Sequence, residues 1–288
     1  MDALAGNGVA DGDDAVPAGN NVLARKDVLA RNNVVVSGRP DGRPLVFAHG
    51  FGCDQDMWRL VAPAFEDTHR VVLFDHVGSG GSDTAAYDPV RYSSLDGYAD
   101  DVLEIAAALD LTDAVFVGHS VAAMIGVLAC VRAPERFAEL VLVAPSARYL
   151  DDRDYVGGFT RADVEGLLDS LADNYLAWSG TMAPVIMGNP ARPELAVELT
   201  SSFCRADPAI AEDFARVTFL SDNRADLPAV PARCLVLQCS DDALAPDSVG
   251  RYVHEHLRDS EFVHLAATGH CPQLSAPEET VAAMKAFL

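Results

Sequence analysis

Positive charge is scarce in this sequence. Lys and Arg number 21 against 43 Asp and Glu, and lysine occurs only at Lys26 and Lys285, which leaves the 288-residue chain a formal net charge of −22. A surface of that sign repels nucleic-acid backbones and anionic membranes, so neither nucleic acid nor membrane is expected as a partner. Long apolar runs are missing as well: no stretch reaches the roughly 18 consecutive apolar residues that a membrane-spanning helix needs. The six cysteines, Cys53, Cys130, Cys204, Cys234, Cys239 and Cys271, show no short paired spacing. That excludes a disulfide framework and reads as free thiols in a reducing, cytoplasmic compartment. No His, Asp or Glu cluster has ligand spacing, and Gly78-Ser79-Gly80-Gly81 lacks the dinucleotide fingerprint, so neither metal nor cofactor is expected. The stretch Met1 to Asn21 has no basic head and no apolar run, and reads as part of a flexible tail over residues 1–25.

Apolar residues are plentiful. They make up half of the chain, enough for a large core. From Val34 onward, short runs rich in Val, Leu and Phe alternate with segments of helical period, the pattern of a mostly parallel sheet flanked by helices. The expected strands are Val34–Ser37, Leu45–Ala48, Val71–Asp75, Ala114–Gly118, Leu140–Val143, Cys234–Cys239 and Phe262–Leu265. Helices are expected over Asp54–Phe65, Ser94–Leu109, Val121–Arg132, Pro246–Leu257 and Pro277–Leu288. The alternation breaks once, between Val143 and about Asp226, where the patterns are helical only. Thr160 with Asp163 marks a helix start there, and two further helices are expected over Pro193–Cys204 and Pro208–Leu220. The organisation read from this is an α/β core over residues 26–145 and 227–288 with a helical insertion, 146–226, above the carboxyl edge of the sheet, where open α/β sheets bind ligands.

A buried strand meets a helix through Gly118-His119-Ser120-Val121-Ala122. Serine on such a tight turn has its hydroxyl lifted above the sheet, the arrangement of the G-x-S-x-G elbow, with Ala122 in place of the last glycine. A serine that merely caps the helix starting at Val121 is the competing reading. A serine hydroxyl becomes a nucleophile only when a base takes its proton and a third group orients that base. In this kind of fold the order is Ser, acid, His. His270, between Gly269 and Pro272 after the last strand, is the candidate base. His69, His76, His254, His256 and His264 read as surface or capping histidines. Asp241 and Asp242 are both candidates for the acid, and the spacing to Pro246 favours Asp242. Backbone donors for an oxyanion are expected at Val121, after the nucleophile, and at Phe51 in His49-Gly50-Phe51-Gly52.

With these residues in place the chain from about Lys26 to Leu288 resembles the RsbQ-type α/β-hydrolases, relatives of the plant karrikin and strigolactone receptors. The likeness rests on His49-Gly50-Phe51-Gly52-Cys53-Asp54-Gln55, Phe74-Asp75-His76-Val77-Gly78-Ser79-Gly80, Leu95-Asp96-Gly97-Tyr98-Ala99, Gly118-His119-Ser120-Val121, Gln238-Cys239-Ser240-Asp241-Asp242 and Gly269-His270-Cys271-Pro272. The resemblance implies the α/β-hydrolase fold, a triad of Ser120, Asp242 and His270, and a four-helix lid. Phe159, Trp178, Met182, Val185 and Phe219 are the large apolar side chains expected over Ser120, enclosing a small hydrophobic cavity. The activity implied is hydrolysis of a small apolar ester or lactone through an acyl-enzyme. The alternative it implies is a signalling receptor with slow hydrolysis and a protein partner, since its bacterial members act in stress signalling beside a phosphatase and its plant members are hormone receptors.

Overall fold

Seven runs of Val, Leu and Phe form the strands of a single sheet. The computed structural model describes residues 18–288, and its strands are β1 (Val35–Gly38), β2 (Arg43–Ala48), β3 (His69–Phe74), β4 (Ala114–His119), β5 (Phe137–Val143), β6 (Arg233–Asp241) and β7 (Ser260–Thr268). Their order is β1-β3-β2-β4-β5-β6-β7. Every neighbouring pair is parallel except β1 with β3, which is antiparallel. Alternate residues feed two separate cores. Leu45, Phe47, Val115, Val117, Val141 and Leu235 point to one side, and Val46, Ala48, Phe116, Leu140 and Val236 to the other. Both faces are therefore buried, which is why the strands read as continuous apolar runs.

The helices are α1 (Ala18–Arg31), α2 (Leu95–Ala108), α3 (Val121–Arg132), α4 (Arg161–Asp173), α5 (Tyr175–Met187), α6 (Pro193–Phe203), α7 (Pro208–Leu220), α8 (Asp247–His256), α9 (Pro272–Ser275) and α10 (Pro277–Phe287). Helices α2, α3 and α8 contribute Val102, Ile125 and Val253 to one core, while α10 brings Met284 and Phe287 to the other. Between β5 and β6 lie α4 to α7, so the helix-only stretch is an insertion into the α/β alternation. Its first helix begins at Thr160 with a reciprocal capping box to Asp163, as the residue pair predicts.

Two expectations are corrected. Residues 54–65 form no α-helix but two short 3₁₀ turns, Gln55–Trp58 and Ala62–Phe65. The proline at 63 stands at the start of the second and has no N–H to carry a longer ladder. The tail expected over residues 1–25 is helical from Ala18 onward, and residues 1–17 lie outside the described residues. Packing and charge explain the helix. Val28 rests on the core beneath α2, and Arg31 donates to Asp101 at 2.9 Å and to Glu104 at 2.6 Å. Asp101, wholly buried, also accepts from Arg91 at 2.6 Å and from the Tyr92 hydroxyl at 2.9 Å. Removing that carboxylate leaves two guanidinium groups with the half-exposed Glu104 as their one shared counter-charge and takes away the acceptor of the buried Tyr92 hydroxyl. Asp101→Ala is accordingly expected to destabilise the chain by ~3 kcal/mol, measured by urea unfolding, and a loss below ~1 kcal/mol would contradict the network's importance.

Candidate active site

The chain leaves β4 and enters α3 at Ser120, whose backbone has φ 57° and ψ −124°. Non-glycine residues avoid this region, and it holds here because the surroundings dictate it. The Ser120 N–H donates to the Val143 carbonyl at 2.8 Å. A methyl group on Gly118 would lie 2.4 Å from the Ala122 carbonyl oxygen, so helix and strand pass this closely only with glycine there. The hydroxyl makes no capping bond to α3, which removes the helix-cap reading. It faces His270 instead.

His270 follows β7 through Gly269, which has φ 79°. Its Nε2 lies 2.7 Å from Ser120 Oγ and its Nδ1 lies 2.7 Å from Asp242 Oδ2. All three groups are buried. A carboxylate only accepts, so Nδ1 carries the proton and Nε2 is free to accept from serine. The other oxygen of Asp242 accepts from the N–H groups of Leu244 at 2.8 Å and Ala245 at 3.0 Å. Burial works against ionisation of this carboxyl, but the imidazole of His270 and those two N–H donors outweigh it and hold it below its ordinary value. Asp241 ends β6 as an exposed residue and takes no part.

The base is held through its backbone as well. Its N–H donates to the Ile186 carbonyl of α5 at 2.8 Å, and Asn189 donates to the neighbouring Thr268 carbonyl at 3.0 Å. On the opposite side, the His270 carbonyl accepts from His119 Nε2 at 2.8 Å. His119 is buried beside a second imidazole, and burial first, then that neighbour, push its pKa down to about 3, which keeps it neutral. His76, expected at the surface, is wholly buried, packed edge-on against His49 with ring centroids 4.6 Å apart.

Phe51 and Val121 stand where oxyanion donors are expected. Val121 opens α3 directly after Ser120. The loop carrying Phe51 passes so near that a methyl group on Gly50 would lie 3.1 Å from Ser120 Cβ. Among the described residues neither N–H has a hydrogen-bond partner.

Above Ser120 is a narrow cavity of about 20 Å³, space for a single water. Trp178, Met182 and Phe219 line it, as does the ring of Phe51. Two expected wall residues do not. Val185 is exposed: at 3.6 residues per turn the inward face of α5 is set by Tyr175, Ser179, Ala183 and Ile186, and Val185 falls beyond Trp178 on the outer side. Phe159 lies behind Phe219, with ring centroids 6.2 Å apart. The sequence reading missed Leu167, Ile186, Phe203 and Thr218 on the walls, and above all Tyr149. The Tyr149 hydroxyl is 3.2 Å from Ser120 Oγ. The single serine proton goes to His270, so the Tyr149 hydroxyl, whose phenol burial raises above its ordinary value, donates to the serine oxygen. Only its nearness to the carboxyl end of β5 hinted at this. Three polar atoms of residues lining the cavity, His119 Nδ1, Trp178 Nε1 and Thr218 Oγ1, are buried without a partner among the described residues.

The family model described as "Alpha/beta hydrolase family" matches residues 45–283. The chain is 38% identical to "Karrikin insensitive 2 receptor CA" of Petunia hybrida over 251 residues, covering 87% of this chain and 93% of that protein. It is 39% identical to "Strigolactone esterase D14" of Arabidopsis thaliana over 258 residues, 89% of this chain and 96% of the relative. Among solved structures, a hydrolase from Oleispira antarctica superposes with a TM-score of 0.89 at 39% identity, covering 91% of this chain and 96% of the other.

The neutral state of His119 has a consequence for stability against pH. Its folded pKa, about 3, lies below the ordinary 6.5 of the unfolded chain. The stabilisation is thus complete above pH 6.5 and is lost as pH falls toward 3, at up to ~1.4 kcal/mol per pH unit. In His119→Gln, unfolding free energies from urea titrations should fall between pH 6 and 5 less steeply than in the unaltered chain, by ~1 kcal/mol per pH unit. Equal slopes would show that His119 is charged in the folded protein.

Proposed function

The chain belongs to the alpha/beta hydrolase family, and on that premise we propose that it is a serine hydrolase opening small apolar esters or lactones. The observation that supports this most is the unbroken relay from Ser120 Oγ through His270 to Asp242, two contacts of 2.7 Å each, mounted on a strained turn. His270 takes the Ser120 proton as the oxygen attacks the acyl carbon. Asp242 holds the imidazole in the useful tautomer and stabilises the imidazolium that forms. The N–H groups of Phe51 and Val121 receive the developing oxyanion. His270 then protonates the leaving alcohol, and a water activated by the same imidazole releases the acid from Ser120. Because Tyr149 donates to the serine oxygen, it positions the nucleophile and stabilises that oxygen when it leaves at deacylation.

A second reading is an RsbQ-type small-molecule receptor in the cytoplasm, with slow hydrolysis and a signalling protein as partner. What favours it is the cavity, whose walls include Leu167, Trp178, Met182, Leu199, Thr218 and Phe219 from all four inserted helices. An occupant would touch side chains of α4 to α7, and α5 is hydrogen-bonded to the loop that carries His270. The inserted helices would then act as a lid whose outer surface changes when a ligand binds. The six free thiols, five of them buried, suit a reducing compartment. Among the described residues no helix is long and apolar enough to cross a membrane.

Two outcomes are expected. Ser120→Ala lowers kcat/KM for 4-nitrophenyl acetate by about a thousandfold or more, and unchanged turnover would overturn the hydrolase reading. With the unaltered chain, an initial burst followed by slow release, together with ester-dependent change in hydrogen exchange over α4 to α7, supports the receptor reading. Rapid multiple turnover with no change in exchange argues for a metabolic esterase.

A further inference from the structure

Four hydroxyl groups on the inserted helices bond to their own helix, while Ser170 is exposed and Ser202 half-buried. Ser179, Thr181, Thr200 and Ser201 each donate to the carbonyl four residues earlier, at 2.7, 3.0, 2.8 and 2.9 Å. Thr218 on α7 does not. It is buried, it lines the cavity together with Ser120, and its Oγ1 has no partner among the described residues. A hydroxyl left unpaired in a dry site is unfavourable, although a helix carbonyl is the usual remedy close at hand. Valine has the same shape and would line an apolar cavity without that penalty.

We propose that Thr218 is a specificity residue whose hydroxyl pairs with a second oxygen of the ligand, one distinct from the carbonyl attacked by Ser120. The neighbourhood sets the kind of oxygen. Among the described residues no Lys, Arg, Asp or Glu lines the cavity, and the remaining wall includes Leu167, Met182, Ile186 and Leu199. A carboxylate or phosphate would enter without a counter-charge, whereas a neutral ether, ketone or ring oxygen needs only one hydrogen bond. The preferred substrates are therefore small, uncharged esters or lactones that bear such an oxygen away from the scissile bond. A plain hydrocarbon ester leaves the Thr218 hydroxyl stranded, and a site built around a polar contact rejects the analogue that lacks it. This inference rests on the hydrolase reading for its rate measurements but not for its binding measurements.

The test compares Thr218→Val with the unaltered chain on two pairs of 4-nitrophenyl esters: methoxyacetate with butanoate, and 3-methoxypropanoate with pentanoate. Each pair exchanges one ether oxygen for a methylene, and intrinsic reactivity cancels when the two proteins are compared. The expected result is that the ether-to-alkyl ratio of kcat/KM falls about tenfold in the variant for at least one pair, while the melting temperature rises because an unpaired buried hydroxyl has gone. Unchanged ratios in both pairs overturn the proposal. So does a lowered melting temperature with uniform loss on all four esters, which would mark a structural hydroxyl. If the unaltered chain hydrolyses none of the esters, the hydrolase reading fails by itself. The proposal is then judged by calorimetric Kd values of Ser120→Ala with and without Thr218→Val: a tenfold weakening confined to an ether ester supports it, and equal changes for ether and alkyl esters overturn it.

Discussion

The backbone of Ser120 is the constraint on which the site depends. β4 lies between β2 and β5, all three parallel, and at its carboxyl end the chain must reverse into α3 within a single residue. A positive φ at Ser120 achieves that reversal. The conformation costs on the order of 1–3 kcal/mol, and it survives because Gly118 leaves room for the Ala122 carbonyl and Gly50 leaves room for His119 and Ser120. The serine hydroxyl is thereby placed above the same edge at which β2, β6 and β7 end. Loops from those strands deliver Phe51, Asp242 and His270 to it.

Electrostatics then make the arrangement usable. A buried carboxylate is unfavourable by itself, and Asp242 is kept ionised by an imidazole and two backbone N–H groups. Nearby His119 takes the opposite course: burial keeps it neutral, and it serves as a hydrogen-bond donor to the backbone of His270. The inserted helices are joined to this polar centre through the contact between Ile186 and His270, so the cover and the chemistry are mechanically connected.

The sheet was legible because its inner strands, buried on both faces, are written as apolar runs bounded by turn residues, while the edge strand β1, with Val35 and Val36 exposed, was marked by its run of valines. The triad was legible because each member follows a strand within one or two residues. What failed did so for local reasons. Pro63 converts an apolar, helix-like stretch into 3₁₀ turns. The polar sequence after Ala18 folds as a helix because of distant partners, Asp101 and Glu104, that no local pattern reveals. Composition picked out Val185 and Phe159 as large and apolar, yet the phase of α5 turns the first outward and Phe219 screens the second. Tyr149 escaped notice because the irregular stretch after β5 has no periodicity to place it. Its role depends on a contact of 3.2 Å that only three dimensions supply.

The central claim is that an ordinary alcohol at position 120 forms a covalent acyl bond because of its surroundings. Incubating the folded chain with a fluorophosphonate, then locating the adduct by peptide mass mapping, addresses this directly. The account predicts one adduct, on the peptide containing Ser120, that is absent when the chain is unfolded in urea before exposure. No adduct on the folded chain, or one on a different residue, would contradict it.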